Sequence, residues 1–234
     1  MSPLQVFIGV DERQPLDYTV CRSSIERHAS NRVNIEALQL RFMPIKRRGL
    51  TQFTFSRYLV PWLMNYEGQG IFMDADIIVR GDIYELADLA AKTKAPVSVV
   101  KGMHRFEWPS MMVFDNAQCK DLTSEYIETQ QPQKLNWAFA LGDLPSEWNH
   151  CVGYDTPNPD AKLIHYTQGI PCWEETKDCE HSEAWMDEFR QAVGTVSWWD
   201  IMGNSVHAEH VIGRLHASGK GEQYKMKEPP AKQA

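Results

Sequence analysis

An α/β fold with a mostly parallel central sheet is the architecture that this sequence predicts. Over residues 4–79, apolar runs of strand length alternate with segments in which apolar residues recur at helical spacing. This strand–helix alternation is typical of units whose consecutive strands lie parallel in one sheet. A chain of 234 residues, with 43% hydrophobic and 24% charged residues, suits one large domain or a domain with an appendage.

The elements of the first part follow in order. Strands are predicted over residues 4–10, 33–40 and 70–79, and helices over residues 17–29 and 52–66. The first strand ends in a polar loop, as a buried central strand does. Asp17 is a plausible N-cap for the first helix, and Pro61 should kink or restart the second.

Beyond residue 80 the alternation is less regular. Strands are predicted over residues 97–100, 110–114 and 161–166, and helices over residues 117–130, 181–193 and 200–216. The tail is rich in Lys, Glu, Gln and Pro, which is typical of disorder. The sequence therefore predicts a main domain over residues 1–180, a C-terminal helical appendage over 181–218 and a disordered tail over 219–234.

Composition excludes some classes of function. The formal net charge of −7 and the absence of a long basic run argue against a nucleic-acid binder. The five cysteines include no CxxC pair, which favours a reducing compartment over a disulfide framework. The start of the chain lacks the order of a signal peptide, and no apolar run reaches the length of a transmembrane segment. We expect a cytoplasmic protein.

Asp74 and Asp76 form an acid pair inside an apolar segment. Residues two apart on an extended chain point to the same face, so both carboxylates are expected on one side of a strand end. Two buried like charges are costly unless something neutralises them. Carboxylate oxygens suit Mn²⁺ or Mg²⁺, which complete their shells with substrate phosphates. The pair therefore predicts a divalent metal site that receives an anionic ligand.

The segment from Phe72 to Leu86, FMDADIIVRGDIYEL, resembles the central motif of retaining glycosyltransferases of the family 8 type. Those enzymes have the GT-A fold, a Rossmann-like nucleotide-binding domain. The resemblance implies that Asp74 and Asp76 hold Mn²⁺, which bridges the diphosphate of a nucleotide-sugar, usually a UDP-sugar. It extends over about residues 5–173.

Other motifs carry further roles by the same resemblance. Arg57, in FSRY, would approach the diphosphate and hold the acidic loop. His165, in HYTQG, would be the third metal ligand, with Gly169 as the glycine of that motif. Asp11, after the first strand, would contact the uracil and ribose of the nucleotide. The Lys that the family usually carries after the His and Gly of this last motif is missing here.

Two positions concern the sugar. Ser110 lies in the segment that holds the sugar in the family, where Pro109 replaces the usual Asn. The family carries an Asp-Gln-Asp motif further along the chain. Asp143 is the acid nearest to the corresponding place here and is the candidate catalytic residue. We name no nucleophile, because the family retains anomeric configuration without an obvious one.

The sequence thus predicts metal-dependent transfer of a sugar from a UDP-sugar to a saccharide or other acceptor. Two alternatives stay open: a sugar-nucleotide nucleotidyltransferase and a non-catalytic nucleotide- or sugar-binding module. The loop after the first strand has no glycine, which disfavours the former, whereas Pro109 and the missing Lys suggest the latter.

The remaining metal-ligating residues give a weak signal. His207 and His210 could share a helix face, and Cys172, Cys179 and His181 could bind zinc, but neither set has the spacing of a known zinc motif.

Overall fold

The protein is built around a six-stranded sheet whose strand order is β2-β1-β3-β6-β5-β7, and a three-stranded sheet whose order is β4-β9-β8. A computed structural model describes residues 3–101, 108–136 and 140–194. Its strands are β1 (Leu4–Gly9), β2 (Val33–Leu38), β3 (Gln69–Asp74), β4 (Ile77–Val79), β5 (Val97–Val99), β6 (Met111–Asp115), β7 (Leu141–Asp143), β8 (His150–Cys151) and β9 (Leu163–His165). Its α-helices are α1 (Pro15–His28), α2 (Val60–Leu63), α3 (Ile83–Thr93), α4 (Ser124–Thr129), α5 (Pro132–Asn136) and α6 (Ser182–Val193).

The large sheet confirms the predicted mostly parallel arrangement. β1 pairs in parallel with β2 and β3, and β5 pairs in parallel with β7. β6 is antiparallel to both β3 and β5, so it alone runs against the other strands of this sheet. The carboxyl ends of β1 and β3 therefore lie side by side, which is where ligands bind in open α/β sheets.

Both faces of the large sheet are buried. Successive residues of a strand point to opposite faces, and in β3 Met73 packs into the core beneath α1 and α3 while Phe72 packs into the core beneath α2. The near-continuous apolar runs of the central strands follow from this burial on both sides.

The small sheet and α6 form a third cluster that joins the main domain. Leu16 and Val20 of α1 pack in this cluster with Trp185 and Phe189 of α6 and with Tyr166 after β9. Helix α6, the described part of the predicted appendage, is thus packed against α1. The predicted helix over 200–216 and the tail over 219–234 lie outside the described residues.

Four sequence-based predictions were wrong in detail. The helix expected over 117–130 is a 3₁₀ turn at Asn116–Gln118 and, after a break, the short helix α4. The helix expected over 52–66 is a 3₁₀ turn at Ser56–Leu59 followed by the single turn of α2. Pro61 lies in the first turn of α2, where proline is tolerated because its missing N–H would have no partner within the helix. The strand expected over 70–79 is divided between β3 and β4, which belong to different sheets. Helix α1 begins at Pro15, so Asp17 lies within its first turn and is not the N-cap.

No helix among the described residues is both long and apolar enough to cross a membrane.

Candidate metal and nucleotide site

Asp74, Asp76 and His165 form a cluster at the carboxyl end of β3. Asp74 is the last residue of β3, Asp76 lies in the turn that follows, and His165 ends β9. Ile77 pairs with His165 across β4 and β9, and the Tyr166 amide donates a hydrogen bond of 3.0 Å to the Asp76 carbonyl oxygen. One ligand atom from each of the three side chains lies within 4.8 Å of the other two. We call these residues the acid–histidine cluster.

The two acids meet for a reason other than the predicted one. A single strand through both acids would have placed them on one face, but the chain leaves the large sheet after Asp74 and enters the small sheet at Ile77. The turn over Ala75 and Asp76 brings the second carboxylate back toward the first, because β4 is held in register against β9. The pairing of β4 with β9 therefore helps to set the distance between the carboxylates.

His165 is held in an acidic environment. It is 2% exposed, and its Nε2 lies 3.3 Å from Asp76 Oδ1. Although burial alone would lower it, the carboxylate of Asp76 raises the pKa of His165 well above its usual value. Cys151, beside His165 in register, places its Sγ 3.9 Å from His165 Nδ1. The metal-free cluster thus favours a cationic imidazole, and a cation that bound to its Nε2 would displace the proton on that nitrogen into solvent.

Arg57 holds Asp74 in position. Its Nη2 lies 3.2 Å from Asp74 Oδ1, and its Nη1 donates a hydrogen bond of 2.8 Å to the Pro109 carbonyl oxygen. The guanidinium carbon also lies 5.1 Å from the centre of the Phe72 ring, within cation–π range. Arg57 therefore links the 3₁₀ turn, the end of β3 and the segment before β6 around the first acid.

Asp17 is an acid that sequence reasoning placed wrongly, and it belongs to the surroundings of this cluster. Its side chain is buried on the inner face of α1 with Cys21 and Ser24. Burial raises the pKa of Asp17 well above its usual value, and the charges of Asp76 and Asp11 raise it further. Its spacing from Cys21 and Ser24, four and seven residues, was the available signal, because those positions share one helix face.

The residues present fit a divalent cation. Mn²⁺ and Mg²⁺ can bind two carboxylates and one imidazole and complete their coordination shells with water or phosphate oxygens. Among the described residues, the buried Asp76 Oδ1 has no contact of good hydrogen-bond geometry, and the nearest cationic group is the imidazole of His165, 3.3 Å away. A divalent cation would satisfy this oxygen directly, in place of the poorly aligned imidazole proton.

Asp11 lies at the carboxyl end of β1, beside the cluster. Only 7% of its surface is exposed, and its carboxylate accepts hydrogen bonds from the backbone amide and guanidinium of Arg13, the shortest being 2.6 Å. The hydrogen bond from Arg13 lowers the pKa of Asp11, so this carboxylate is ionised. Gln52 Nε2 lies 3.4 Å from the same carboxylate.

The other predicted site residues occupy different surroundings. Ser110 is buried at the start of β6 and accepts a hydrogen bond of 3.1 Å from Asn149 Nδ2. Gly169 has a φ of +117°, which L side chains rarely adopt, and its amide donates a hydrogen bond of 2.8 Å to the Tyr166 carbonyl oxygen. The glycine thus permits the turn that follows His165.

Asp143 lies apart from the cluster. It ends β7, the edge strand that is three positions from β3 in the sheet, which places it about 14 Å away at the usual strand spacing. Its exposed carboxylate accepts a hydrogen bond of 3.2 Å from the Lys101 amide. Because β7 and β3 are parallel, Asp143 and Asp74 both lie on the side of the sheet where these strands have their carboxyl ends.

Comparison with known proteins identifies the fold. No protein-family model matches the chain. The protein named CDI of Arabidopsis thaliana is 29% identical over 228 aligned residues, which cover 81% of this chain and 87% of that protein. The galactosyltransferase LgtC, solved in complex with donor and acceptor sugar analogues, superimposes with a TM-score of 0.60 at 11% identity, over 86% of this chain and 100% of LgtC.

A second solved structure is the bifunctional glycosyltransferase WbbM. It matches with a TM-score of 0.60 at 17% identity over 87% of this chain, but this chain spans only 52% of WbbM. The identities are low, so these likenesses concern the fold. The chain has the GT-A fold of these glycosyltransferases, as its sequence predicted.

Proposed function

We propose that this protein is a metal-dependent, retaining glycosyltransferase that uses a nucleotide-sugar, a UDP-sugar by preference. The observation that carries the proposal is the convergence of two chain segments, one with Asp74 and Asp76 and the other with His165, onto one point at the carboxyl end of β3. In a sheet of this kind that edge is where nucleotides bind. The GT-A fold supports the same reading.

Asp74, Asp76 and His165 would hold the ion, Mn²⁺ or Mg²⁺. When bound, the ion would act as a Lewis acid that offsets the charge of the departing nucleoside diphosphate. Arg57 keeps Asp74 in place through its ion pair and its hydrogen bond to the Pro109 carbonyl oxygen. This fixed geometry lowers the cost of ordering the site when the ligand arrives.

The surrounding residues would select the nucleotide and the sugar. Asp11 is ionised and lies beside the cluster, where it can accept hydrogen bonds from the base or the ribose. We assign Ser110 to the sugar side, because it precedes β6, the strand next to β3. We assign Gly169 to the loop that carries His165 against the diphosphate.

Asp143 is our candidate for a residue near the reacting sugar or the acceptor. Its distance from the cluster excludes it as a metal ligand, but it shares the edge of the sheet with Asp74. No other role is assigned to it, and no nucleophile is named, since retaining transfer can proceed by attack on the face that the leaving group departs from.

The experiment is release of UDP from a panel of UDP-sugars, with and without candidate saccharide acceptors. We expect release that depends on Mn²⁺, ceases with EDTA and is abolished in Asp76→Asn. Glu26→Gln, at an exposed position of α1, is the matched control and should behave as wild type. UDP binding that depends on Mn²⁺ without release from any UDP-sugar would instead identify a non-catalytic nucleotide-binding module. UDP-sugar consumption unaffected by EDTA would contradict the proposal.

A further inference from the structure

A second cluster of metal-ligating side chains lies beside the small sheet. It consists of His150 in β8, and Glu180 and His181 directly before α6, and it is called here the His–Glu–His cluster. Ligand atoms of the three side chains lie within 4.8 Å of one another. Sequence reasoning grouped His181 with Cys172 and Cys179; the fold brings it together with His150 and Glu180.

The cluster is separate from the acid–histidine cluster. Cys151 and His165 are neighbours in register and their side chains are in contact. His150 precedes Cys151 in the same strand, so its side chain leaves the opposite face of the small sheet. The two clusters are therefore on opposite sides of the β8–β9 pair.

Each histidine nitrogen lies close to a different oxygen of the Glu180 carboxylate, slightly nearer than two ligands of a tetrahedral zinc ion. His150 Nε2 lies 3.0 Å from Glu180 Oε2, and His181 Nε2 lies 3.1 Å from Glu180 Oε1. Zinc with bonds of about 2.0–2.2 Å to nitrogen and oxygen separates its tetrahedral ligands by about 3.3–3.5 Å. A shift of a few tenths of an ångström would therefore open the cluster around the ion.

The backbone is constrained to present these ligands. His181 is a non-glycine residue with a φ of +59°, a left-handed conformation that favours glycine. This turn directs Glu180 and His181 toward the same point, and the Asn158 amide fixes the carboxylate by donating a hydrogen bond of 2.9 Å to Glu180 Oε1. Backbone strain of this kind persists where the surrounding structure requires it, and functional sites are a common place for it.

We propose that His150, Glu180 and His181 bind one Zn²⁺ ion, with water as the fourth ligand. His150 is 2% exposed and would supply Nε2 from inside the protein. The Asn158 carbonyl oxygen, 2.9 Å from His181 Nε2, would accept a hydrogen bond from the zinc-bound water once that nitrogen binds the metal. The ion would fasten the start of α6 to β8 and thereby support the packing of α6 on α1.

The electrostatic surroundings agree with this assignment. Burial lowers the pKa of His181, which favours a neutral imidazole. Its Nε2–H donates to the Asn158 carbonyl oxygen in the metal-free protein, so the ring proton would have to move to Nδ1 for Nε2 to bind the ion. Although burial alone would raise it, the hydrogen bond with His150 lowers the pKa of Glu180, so its carboxylate is charged. Arg80 places a positive charge near the site, because its Nη1 lies 3.4 Å from the Pro159 carbonyl oxygen, next in the chain to Asn158, whose carbonyl faces His181. This charge adds slightly to the lowering of the pKa of His181.

The test is a calorimetric Zn²⁺ titration of chelator-treated protein in an Asp76→Asn background, which disables the first cluster. We expect one equivalent of Zn²⁺ to bind. Adding His150→Gln or His181→Asn should weaken binding at least about tenfold, or about 1.4 kcal/mol. Asn is used at position 181 because it tolerates the left-handed backbone there. Two variants are tested so that a conclusion can still be drawn if one of them fails to fold. Circular dichroism verifies their folding.

Arg80→Gln supplies a control of opposite sign. Removal of this nearby positive charge should tighten Zn²⁺ binding, whereas a variant that merely disturbed the fold would weaken it. An Asp76→Asn protein that binds no Zn²⁺, or a folded His150→Gln protein that binds it as tightly as its parent, would show that the cluster is held by hydrogen bonds alone. Either result overturns the proposal and leaves the glycosyltransferase proposal untouched.

Discussion

Arg57 and Asp74 should be strongly coupled in the metal-free protein. Their side chains are only 11% and 13% exposed, and Arg57 Nη2 lies 3.2 Å from Asp74 Oδ1. Replacement of Arg57 by Met keeps an apolar contact with Phe72 but leaves the Asp74 carboxylate near Asp76 without its cation. Breaking a buried ion pair in this way costs about 3–5 kcal/mol.

The second change should restore part of that loss. Asp74→Asn alone leaves Arg57 with its hydrogen bond to the Pro109 carbonyl oxygen and its contact with Phe72, so we expect a loss of about 1 kcal/mol, one ordinary hydrogen bond. In the double variant no uncompensated charge remains. A double-mutant cycle should therefore give a coupling free energy of about 2–3 kcal/mol.

The assay is urea unfolding of wild type, both single variants and the double variant in EDTA. The exposed pair of Arg22 and Glu26, each 49% exposed, is the control and should give a coupling of about 0.3–0.5 kcal/mol. Additivity of Arg57→Met and Asp74→Asn within about 0.5 kcal/mol would refute the reasoning. Saturating Mn²⁺ should reduce the penalty of Arg57→Met, because the ion then neutralises Asp74.

Three other perturbations test neighbouring parts of the account. Burial raises the pKa of Asp17 above its ordinary value of 3.8, so the folded state holds the proton more tightly and loses stability as the pH rises from that value toward the folded-state pKa. Asp17→Asn should escape this loss, and its advantage in urea midpoint should grow over that range; a pH-independent difference would contradict the assignment. His165→Gln should weaken Mn²⁺-dependent UDP binding at least about tenfold in calorimetry, and wild-type affinity would remove His165 from the ligand set. Gly9→Ala would place its Cβ 2.5 Å from the Phe53 ring, so we expect about 1–3 kcal/mol lower stability in urea, and an unchanged midpoint would show that this ring can move.

The sequence was sufficient for the first strands of the large sheet and for locating the acid pair at the end of β3. Apolar runs flanked by turns located β1 and β3, because burial on both faces leaves little room for polar residues. Alternation of apolar and polar residues located β2, the half-exposed edge strand. The acid pair stood out because it interrupts such a run. These signals are local, and local patterns carry through to the fold when tertiary packing agrees with them.

The division of the third strand could not be predicted. Residues 70–79 are apolar almost throughout, and nothing in that run shows that the chain changes sheet after Asp74. The change depends on β9, which arrives from far along the chain and pairs with β4. The same dependence explains why the His–Glu–His cluster escaped sequence reasoning: His150 and Glu180 are 30 residues apart and share no motif.

The most direct test of the central claim is diffraction at the manganese absorption edge from crystals grown with Mn²⁺ and UDP. We predict one anomalous peak bounded by Asp74, Asp76 and His165, with the UDP diphosphate on its open side. UDP bound at the carboxyl end of β3 without manganese, or manganese bound only at another place in the protein, would contradict the account.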